Sequence, residues 1–264
     1  MMVAGIDAGS RAIKIALVDC AGGKLVATAL ADQAIAQCRL ARELLDATLA
    51  ERGFGRDDVG RIIATGYGRN LIDFANGTIT EITCHARGVR EACPSVRTIV
   101  EIGGQDSKVI RLGAGGQVED FAMNDRCAAG TGRFLELVGA RLDTDLSRLG
   151  EMALRSRCTA AISSMCAVFA ETEIIGLLAS GTATADIAAG VQNAIARRMV
   201  ALSGRKAVAP LVFTGGVALV QGMDRALAQA FAQPVSVAPM PQMTGAIGAA
   251  LLGREQVNGP RARV

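Results

Sequence analysis

Two cysteines stand in sequence settings that favour chemistry over packing. Cys127 lies in the stretch NDRCAAGTGRF, just before a turn of small residues, and Cys166 lies in SSMCAVFAETE. An apolar helical pattern follows each of them. A thiol at the start of a helix lies near unpaired backbone N–H groups and the positive end of the helix dipole, which favours the thiolate. A thiolate binds metal or acts as a nucleophile, and neither cysteine has a CxxC partner.

Three glycine-containing turns each follow an apolar strand-like run, and they suit a nucleotide. The first two, loop 1 (residues 7–14) and loop 2 (residues 103–108), each combine a carboxylate, a backbone turn and a lysine. Turn N–H groups and a lysine suit phosphate oxygens, and Asp7 suits a Mg²⁺ ion that keeps most of its waters. The third turn, at 214–217, would let the backbone approach a flat adenosine. The chain has no GxxxxGKS or GxxxxGKT phosphate loop.

These turns supply the predicted nucleotide and catalytic residues. The residues predicted to bind ATP or ADP are Gly9, Ser10, Arg11, Ala12, Ile13, Lys14, Gly103, Gly104, Gln105, Lys108, Gly215 and Gly216. The predicted catalytic residues are Asp7, Gln105 and Asp106. Two roles stay open for Asp106: it orients the attacking water as a base, or it forms the turn or contacts Mg²⁺.

The elements that position these turns repeat along the chain. A strand, a glycine turn, a second strand, a glycine hairpin and a third strand occur over 3–30 and again over 98–121. Helical patterns occupy 33–52, 81–92, 146–154, 166–178, 185–202, 223–231 and 245–252. The repeat predicts two α/β lobes with ligands at the strand ends. The predicted division is a first lobe at 1–94, a second lobe at 95–239, a final helix at 240–253 that returns to the first lobe, and a flexible tail at 254–264.

The composition argues against several classes of protein. Half of the 264 residues are hydrophobic but only 3% are aromatic, and the net charge is +3. Such a chain offers neither the basic surface nor the stacking rings that nucleic-acid binding uses. No apolar run approaches ~18 residues, so no membrane span is expected. Asp7 interrupts the first apolar run, so we expect no signal peptide and a cytoplasmic protein with reduced cysteines.

Five segments together resemble one known family. They are GIDAGS, EIGGQDSK, NDRCAAGTGRF, SSMCAVFAE and VFTGGVA, and they resemble the BadF/BadG/BcrA/BcrD-type ATPase family. This family includes the activators of 2-hydroxyacyl-CoA dehydratases and the ATP-binding subunits of benzoyl-CoA reductase. The resemblance runs from about Val3 to Leu252. It implies the two-lobed, ribonuclease H-like ATPase fold of the actin/Hsp70/sugar-kinase superfamily, and the two cysteine segments separate this branch from the sugar kinases.

The resemblance also implies a metal centre and an activity. In the family, two cysteines from each of two subunits hold one [4Fe–4S] cluster on the dimer axis, and the matching residues here are Cys127 and Cys166. The implied protein is a homodimer that binds MgATP and hydrolyses it to ADP. It takes an electron from ferredoxin or flavodoxin and passes it to the iron–sulfur component of a dehydratase. Two alternatives stay open: the ATPase subunit of a benzoyl-CoA-type reductase, and a small-molecule kinase with Asp106 as its base.

Other residues with reactive or charged side chains are interpreted as structural. Cys20, Cys38, Cys84, Cys93 and Cys158 lack the flanks of the first two cysteines. His85, the only histidine, lies in a predicted helix and is expected to be structural or solvent-facing. Arg197 and Arg198 are expected to form a solvated helix face, and Glu101 and Glu171 receive no role. Three departures from the family pattern are Arg11, Leu219 and Val220.

Overall fold

The computed structural model of the protein describes residues 1–164, 166–204 and 206–258. This part of the chain forms ten β-strands and eight α-helices. The strands are β1 (Met2–Ala8), β2 (Ala12–Asp19), β3 (Leu25–Asp32), β4 (Val59–Thr65), β5 (Gly77–Thr78), β6 (Thr98–Ile102), β7 (Ser107–Leu112), β8 (Val118–Asn124), β9 (Leu211–Thr214) and β10 (Val235–Val237). The helices are α1 (Gln37–Ala50), α2 (Glu81–Ala92), α3 (Gly132–Arg141), α4 (Leu146–Leu154), α5 (Ala167–Ala179), α6 (Thr184–Leu202), α7 (Met223–Phe231) and α8 (Thr244–Asn258).

The chain divides into two compact units, each built around one five-stranded mixed sheet. Among the described residues, the first unit contains Met1–Pro94 and residues 242–258, and the second contains Ser95–Pro241. The strand order is β3-β2-β1-β4-β5 in the first sheet and β8-β7-β6-β9-β10 in the second. In both sheets an antiparallel three-stranded meander continues into parallel strands. The repeat in the sequence is therefore a repeat of sheet topology.

Helix α8 packs on the first sheet and on α2 at backbone distance. A Cβ atom on Gly5 of β1 would lie 2.0 Å from the Ala246 carbonyl oxygen. A Cβ atom on Gly248 of α8 would lie 1.8 Å from the Cys84 carbonyl oxygen. No side chain fits at either point, so glycine is what permits this packing. Strand β1 is buried along its whole length as a result.

The second unit buries its sheet beneath a layer of helices. Its core contains Phe134 of α3, Ile195 of α6, Phe213 of β9 and Leu227 of α7, all fully buried. The longest helix, α6, lies at the centre of this layer, where it packs against α4, α7 and β7. Within the described residues, no helix is both long enough and apolar enough to cross a membrane.

The predicted strands and helices are confirmed, but two helix ends differ from the prediction. Helix α1 begins at Gln37 because β3 continues to Asp32. Helix α8 continues to Asn258, whereas the sequence placed its end at Leu252 and assigned 254–264 to a flexible tail. Arg254 Nε and Asn258 Nδ2 both donate to the Cys20 carbonyl oxygen, which holds this extra stretch against the first sheet. Residues 259–264 lie outside the described residues.

Candidate functional site

Each sheet carries a carboxylate and a lysine side by side near the end of its first strand. Asp7 of β1 is in register with Lys14 of β2, and Lys14 Nζ donates to Asp7 Oδ2 at 3.0 Å. Glu101 of β6 is in register with Lys108 of β7, and Lys108 Nζ donates to Glu101 Oε2 at 2.9 Å. Directly opposed residues on neighbouring strands share a face of the sheet, so both pairs are cross-strand contacts. The structural counterpart of Asp7 is therefore Glu101, to which the sequence reasoning assigned no role.

Lys108 is the most deeply buried charged residue of these pairs. Its side chain is 2% exposed, and that of Glu101 is 5% exposed. Lys108 Nζ also donates to Asp106 Oδ2 at 2.9 Å, and this second carboxylate is 21% exposed. The lysine thus joins a buried carboxylate of β6 to a carboxylate of loop 2. Its predicted contact with phosphate stays a prediction.

The two loops have the same type of backbone turn. In loop 1, Gly9 N donates to the Ala12 carbonyl oxygen at 3.1 Å, and in loop 2, Gly103 N donates to the Asp106 carbonyl oxygen at 3.0 Å. Gln33, which directly follows β3, also holds loop 1, since its Nε2 donates to the Gly9 carbonyl oxygen at 2.7 Å. Among the predicted binding residues, four are buried: Ala12, Ile13, Lys108 and Gly215. The others reach solvent at least partly, and they are Gly9, Ser10, Arg11, Lys14, Gly103, Gly104, Gln105 and Gly216.

Gly215, in the third glycine turn, adopts a backbone conformation that only glycine tolerates well. Its φ is 92° and its ψ is 174°. A Cβ atom there would lie 2.3 Å from the Ile102 carbonyl oxygen and 2.6 Å from Glu101 Oε1. Gly215 N and Thr214 Oγ1 both donate to the Pro241 carbonyl oxygen, at 2.9 and 2.7 Å. The turn is therefore packed tightly against the same strand end that carries Glu101.

We expect Gly215→Ala to lower the free energy of unfolding by about 2–3 kcal/mol, because the backbone strain and the clash with β6 add together. The matched control is Gly181→Ala in the same unit. Gly181 has a φ of 81°, but no heavy atom lies within 4 Å of the position of its added Cβ. Strain alone predicts a loss of about 1–2 kcal/mol there. Urea titrations measure the free energy of unfolding of the two variants. An equal loss in both would contradict the added cost of the clash at Gly215.

His85 and the start of α8 lie next to Asp7 in the first unit. His85 Nδ1 and Thr244 Oγ1 form a buried hydrogen bond of 2.9 Å. A Cβ atom on Gly245 would lie 3.0 Å from Asp7 Oδ2 and 3.3 Å from His85 Cε1. From the sequence, both a structural and a solvent-facing role are open for His85. The burial of the ring selects the structural one.

Asn124 holds the segment that carries Cys127. Asn124 Nδ2 donates to the Cys127 carbonyl oxygen at 2.8 Å, and Cys127 N donates to Asn124 Oδ1 at 3.0 Å. Cys127 itself is exposed. The sequence predicted a helix directly after it. A short 3₁₀ helix (Ala128–Gly130) comes first, and α3 begins at Gly132.

The first residues of α3 are hydrogen-bonded to loop 2. Gly132 N donates to the Gly103 carbonyl oxygen and Arg133 N donates to the Gly104 carbonyl oxygen, both at 2.9 Å. The N–H groups of a helix's first turn have no partner within the helix, so loop 2 satisfies two of them. The segment that follows Cys127 is thereby attached to a predicted phosphate loop.

The segment before Cys166 is held by the carboxylate of Glu173 on α5. Glu173 Oε1 accepts from Ser163 N at 2.9 Å and from Ser163 Oγ at 2.8 Å, and Oε2 accepts from Ser164 N at 2.9 Å. Burial acts to raise the pKa of Glu173, but these hydrogen bonds outweigh it and lower the pKa to about 2. Cys166 is exposed and immediately precedes α5. The carboxylate thus stays ionised and holds the backbone of the two serines that precede the Cys166 segment's thiol in the chain.

Arg198 of α6 corrects one sequence prediction. Arg197 and Arg198 were expected to form a solvated helix face. That expectation is wrong for Arg198, which is half-buried and donates to the Ala129 and Ser164 carbonyl oxygens at 3.1 and 3.2 Å. The reason is that α6 lies beneath both cysteine segments, so a donor on this face meets their backbone carbonyls. Because Arg198 contacts both segments, the structure brings them together.

Cys127 and Cys166 are the candidate ligands for a cluster. Both thiols are exposed, and both lie on segments that are in contact with one guanidinium. Among the described residues, no group of three or more His, Cys, Asp or Glu side chains could hold a metal ion. A cubane iron–sulfur cluster takes four thiolates, so one chain would supply two and a second chain the others. Cys158 is also exposed, and its N–H donates to Asp186 Oδ1 at 3.0 Å.

Comparisons with known proteins connect this geometry to a family. The BadF/BadG/BcrA/BcrD ATPase family matches residues 4–253. The activator of lactoyl-CoA dehydratase from Anaerotignum propionicum is 41% identical over 256 residues, which cover 97% of this chain and 98% of that protein. The structure of the activator of the 2-hydroxyisocaproyl-CoA dehydratase from Clostridium difficile with bound ADPNP is 38% identical, with a TM-score of 0.90 and coverage of 97% and 95%.

A more distant structure bears on the fold alone. The ROK hexokinase from Thermus thermophilus is 16% identical, with a TM-score of 0.53 and coverage of 98% of this chain and 100% of that chain. Together with the activator structure, this likeness confirms the predicted α/β fold of the actin/Hsp70/sugar-kinase class.

Proposed function

Because this chain belongs to the BadF/BadG/BcrA/BcrD ATPase family, we propose that it is an ATP-dependent activator that passes one electron to the iron–sulfur component of a 2-hydroxyacyl-CoA dehydratase. Two of the proteins compared above are named as activators of such dehydratases. The observation that carries the proposal is the pair of exposed cysteines, Cys127 and Cys166, on segments that share one arginine contact. Transfer of a phosphoryl group by a small-molecule kinase does not require a pair of exposed cysteines.

The proposed cofactor is a [4Fe–4S] cluster held by Cys127 and Cys166 of two copies of this chain. Cubane clusters take four thiolates, and a twofold dimer supplies them as two equal pairs. The exposure of both thiols in the single chain supports this arrangement, because a second copy can reach them. When bound, such a cluster stores and releases single electrons. We assign ferredoxin or flavodoxin as the electron donor, and we expect the cluster to be sensitive to oxygen.

The nucleotide is assigned to the three glycine turns. In this proposal, backbone N–H groups of loops 1 and 2 other than those of Gly9 and Gly103, which close the turns, bind the phosphates of ATP, and the turn at Gly215 and Gly216 approaches the adenosine. Asp7 contacts the Mg²⁺ ion, which keeps most of its water ligands, because Mg²⁺ prefers hard oxygen ligands. Gln105 and Asp106 act on the attacking water. The ADPNP bound to the activator from Clostridium difficile supports the nucleotide assignment.

Loop 2 offers a route from the nucleotide to the thiols. The N–H groups of Gly132 and Arg133 donate to loop 2, and the Cys127 segment leads into α3 through the 3₁₀ helix (Ala128–Gly130). A change in loop 2 on hydrolysis of ATP to ADP would move the start of α3 and with it the backbone beside Cys127. ATP hydrolysis would in this way alter the surroundings of the thiolates and so the ease of electron release.

The test is anaerobic purification followed by three measurements. We expect a brown protein with about four irons per two chains. We expect phosphate release from MgATP, and transfer of an electron from dithionite-reduced protein to purified lactoyl-CoA dehydratase component only when MgATP is present. The control replaces MgATP by MgADP, which binds without hydrolysis.

Two results would overturn the proposal. A colourless, iron-free protein that transfers the γ-phosphate of ATP to a sugar would assign it to the small-molecule kinases. An iron-containing protein that reduces a benzoyl-CoA-type reductase, but no 2-hydroxyacyl-CoA dehydratase, would assign it to the other branch of the family.

A further inference from the structure

Arg198 connects the two cysteine segments through their backbones. Its Nη1 donates to the carbonyl oxygen of Ala129, two residues after Cys127, at 3.1 Å. Its Nη2 donates to the carbonyl oxygen of Ser164, two residues before Cys166, at 3.2 Å. A planar guanidinium presents its donors in a rigid fork, so the two carbonyl oxygens are held at a set separation.

Arg198 and its neighbour Arg197 differ in their surroundings. Burial acts to lower the pKa of Arg198, while the charges of Cys127 and Cys166 act to raise it. The two backbone contacts of the guanidinium are each two residues along the chain from a cysteine, Ala129 from Cys127 and Ser164 from Cys166. The adjacent Arg197 differs: it is exposed, and its Nη2 donates to the carbonyl oxygen of Ile162 at 3.1 Å. Its contact is with the Cys166 segment alone, at a residue further along the chain from Cys166 than Ser164 is.

We propose that Arg198 is a positioning residue that sets the separation of the Cys127 and Cys166 segments and places a positive charge beside their thiolates. The inference rests on the proposed function, in which these thiolates hold the cluster. It assigns the arginine two separable tasks. The fork holds the ligand pair in place before the metal arrives, and the charge favours the more negative, reduced state.

The two tasks predict different effects for two variants. Arg198→Lys keeps the positive charge but cannot hold both carbonyl oxygens with one fork. Arg198→Gln removes the charge as well. Loss of a nearby cation disfavours the reduced state, so we expect about a tenfold fall in the equilibrium constant for reduction, which is about 59 mV more negative for a one-electron couple. We expect the lysine variant to keep the potential but to lose iron faster than the wild type when a chelator is added.

The experiment compares the wild type, both Arg198 variants and the matched control Arg197→Gln. The control removes the same charge one position away and a contact with one cysteine segment. Midpoint potentials are measured by redox titration followed by electron paramagnetic resonance, and iron loss is measured with bathophenanthroline. Amide hydrogen exchange of the iron-free proteins is measured over residues 127–131 and 160–164.

The outcomes separate this inference from the proposed function. Faster exchange in both segments for the Arg198 variants, but in one segment for Arg197→Gln, supports the bridge. A potential shift in Arg198→Gln alone supports the role of the charge. Unchanged exchange in both Arg198 variants overturns the bridge, and an equal shift in Arg197→Gln overturns the role of Arg198's charge. A wild-type protein without iron contradicts the proposed function and with it the role of the charge, while the exchange measurement still decides the bridge.

Discussion

Replacing both Cys127 and Cys166 by alanine will abolish iron binding in anaerobically prepared protein and leave nucleotide binding intact. Both thiols are exposed, so their removal creates no cavity in the core and costs little stability. The proposed cluster would depend on four thiolate ligands, and losing two per chain would leave none at the proposed site. The measurement is the iron and sulfide content of the purified protein, with MgADP affinity from calorimetry as the check on folding.

Cys158 provides the matched control for this double variant. It is exposed as well, and it precedes the Cys166 segment in the chain. Its backbone N–H is fixed by Asp186, which also accepts from Ser156 Oγ and Arg157 N. We expect Cys158→Ala to keep the full iron content. Iron that persists in the double variant, or disappears in Cys158→Ala, would show that the ligands have been assigned wrongly.

Lys108→Met will lower the free energy of unfolding by about 3–5 kcal/mol, because it leaves the buried carboxylate of Glu101 without its cation. The Lys108 and Glu101 side chains are 2% and 5% exposed, so water cannot replace the lysine. For a protein of this size the thermal midpoint should fall by about 10 °C. Thermal melting followed by circular dichroism, without nucleotide, measures the change.

Two controls accompany the Lys108 variant, one from the repeat and one from the same ion pair. Lys14→Met removes the equivalent lysine from the first sheet, where the side chains of Lys14 and Asp7 are 17% and 7% exposed. We expect a smaller fall in the thermal midpoint there, because the pair is better hydrated. The double variant Glu101→Gln, Lys108→Met should recover part of the lost stability, since it removes both buried charges. A single variant as stable as the wild type would mean that the pair contributes nothing.

Much of the fold follows from local patterns in the sequence. Apolar runs that end in glycine turns mark the strands, and the recurrence of the pattern at 98–121 indicates a second sheet like the first. These signals are local, because a turn residue and a strand period act within a few neighbours. These local signals do not predict two of the helix ends. The end of α8 is held by contacts between Arg254, Asn258 and Cys20, which are distant in sequence.

The candidate site divides in the same way. The sequence alone identified the two cysteines, the three glycine turns and the family resemblance, because each is a run of adjacent residues. It could not assign Glu101, whose pairing with Lys108 depends on strand register, although the Asp7–Lys14 spacing recurs there. Nor could it place Arg198, which lies far along the chain from Cys127 and carries no local signal. Only the packing of α6 beneath both cysteine segments brings that charge to their backbones, since hydrogen bonds across such separations exist only once the helices have packed.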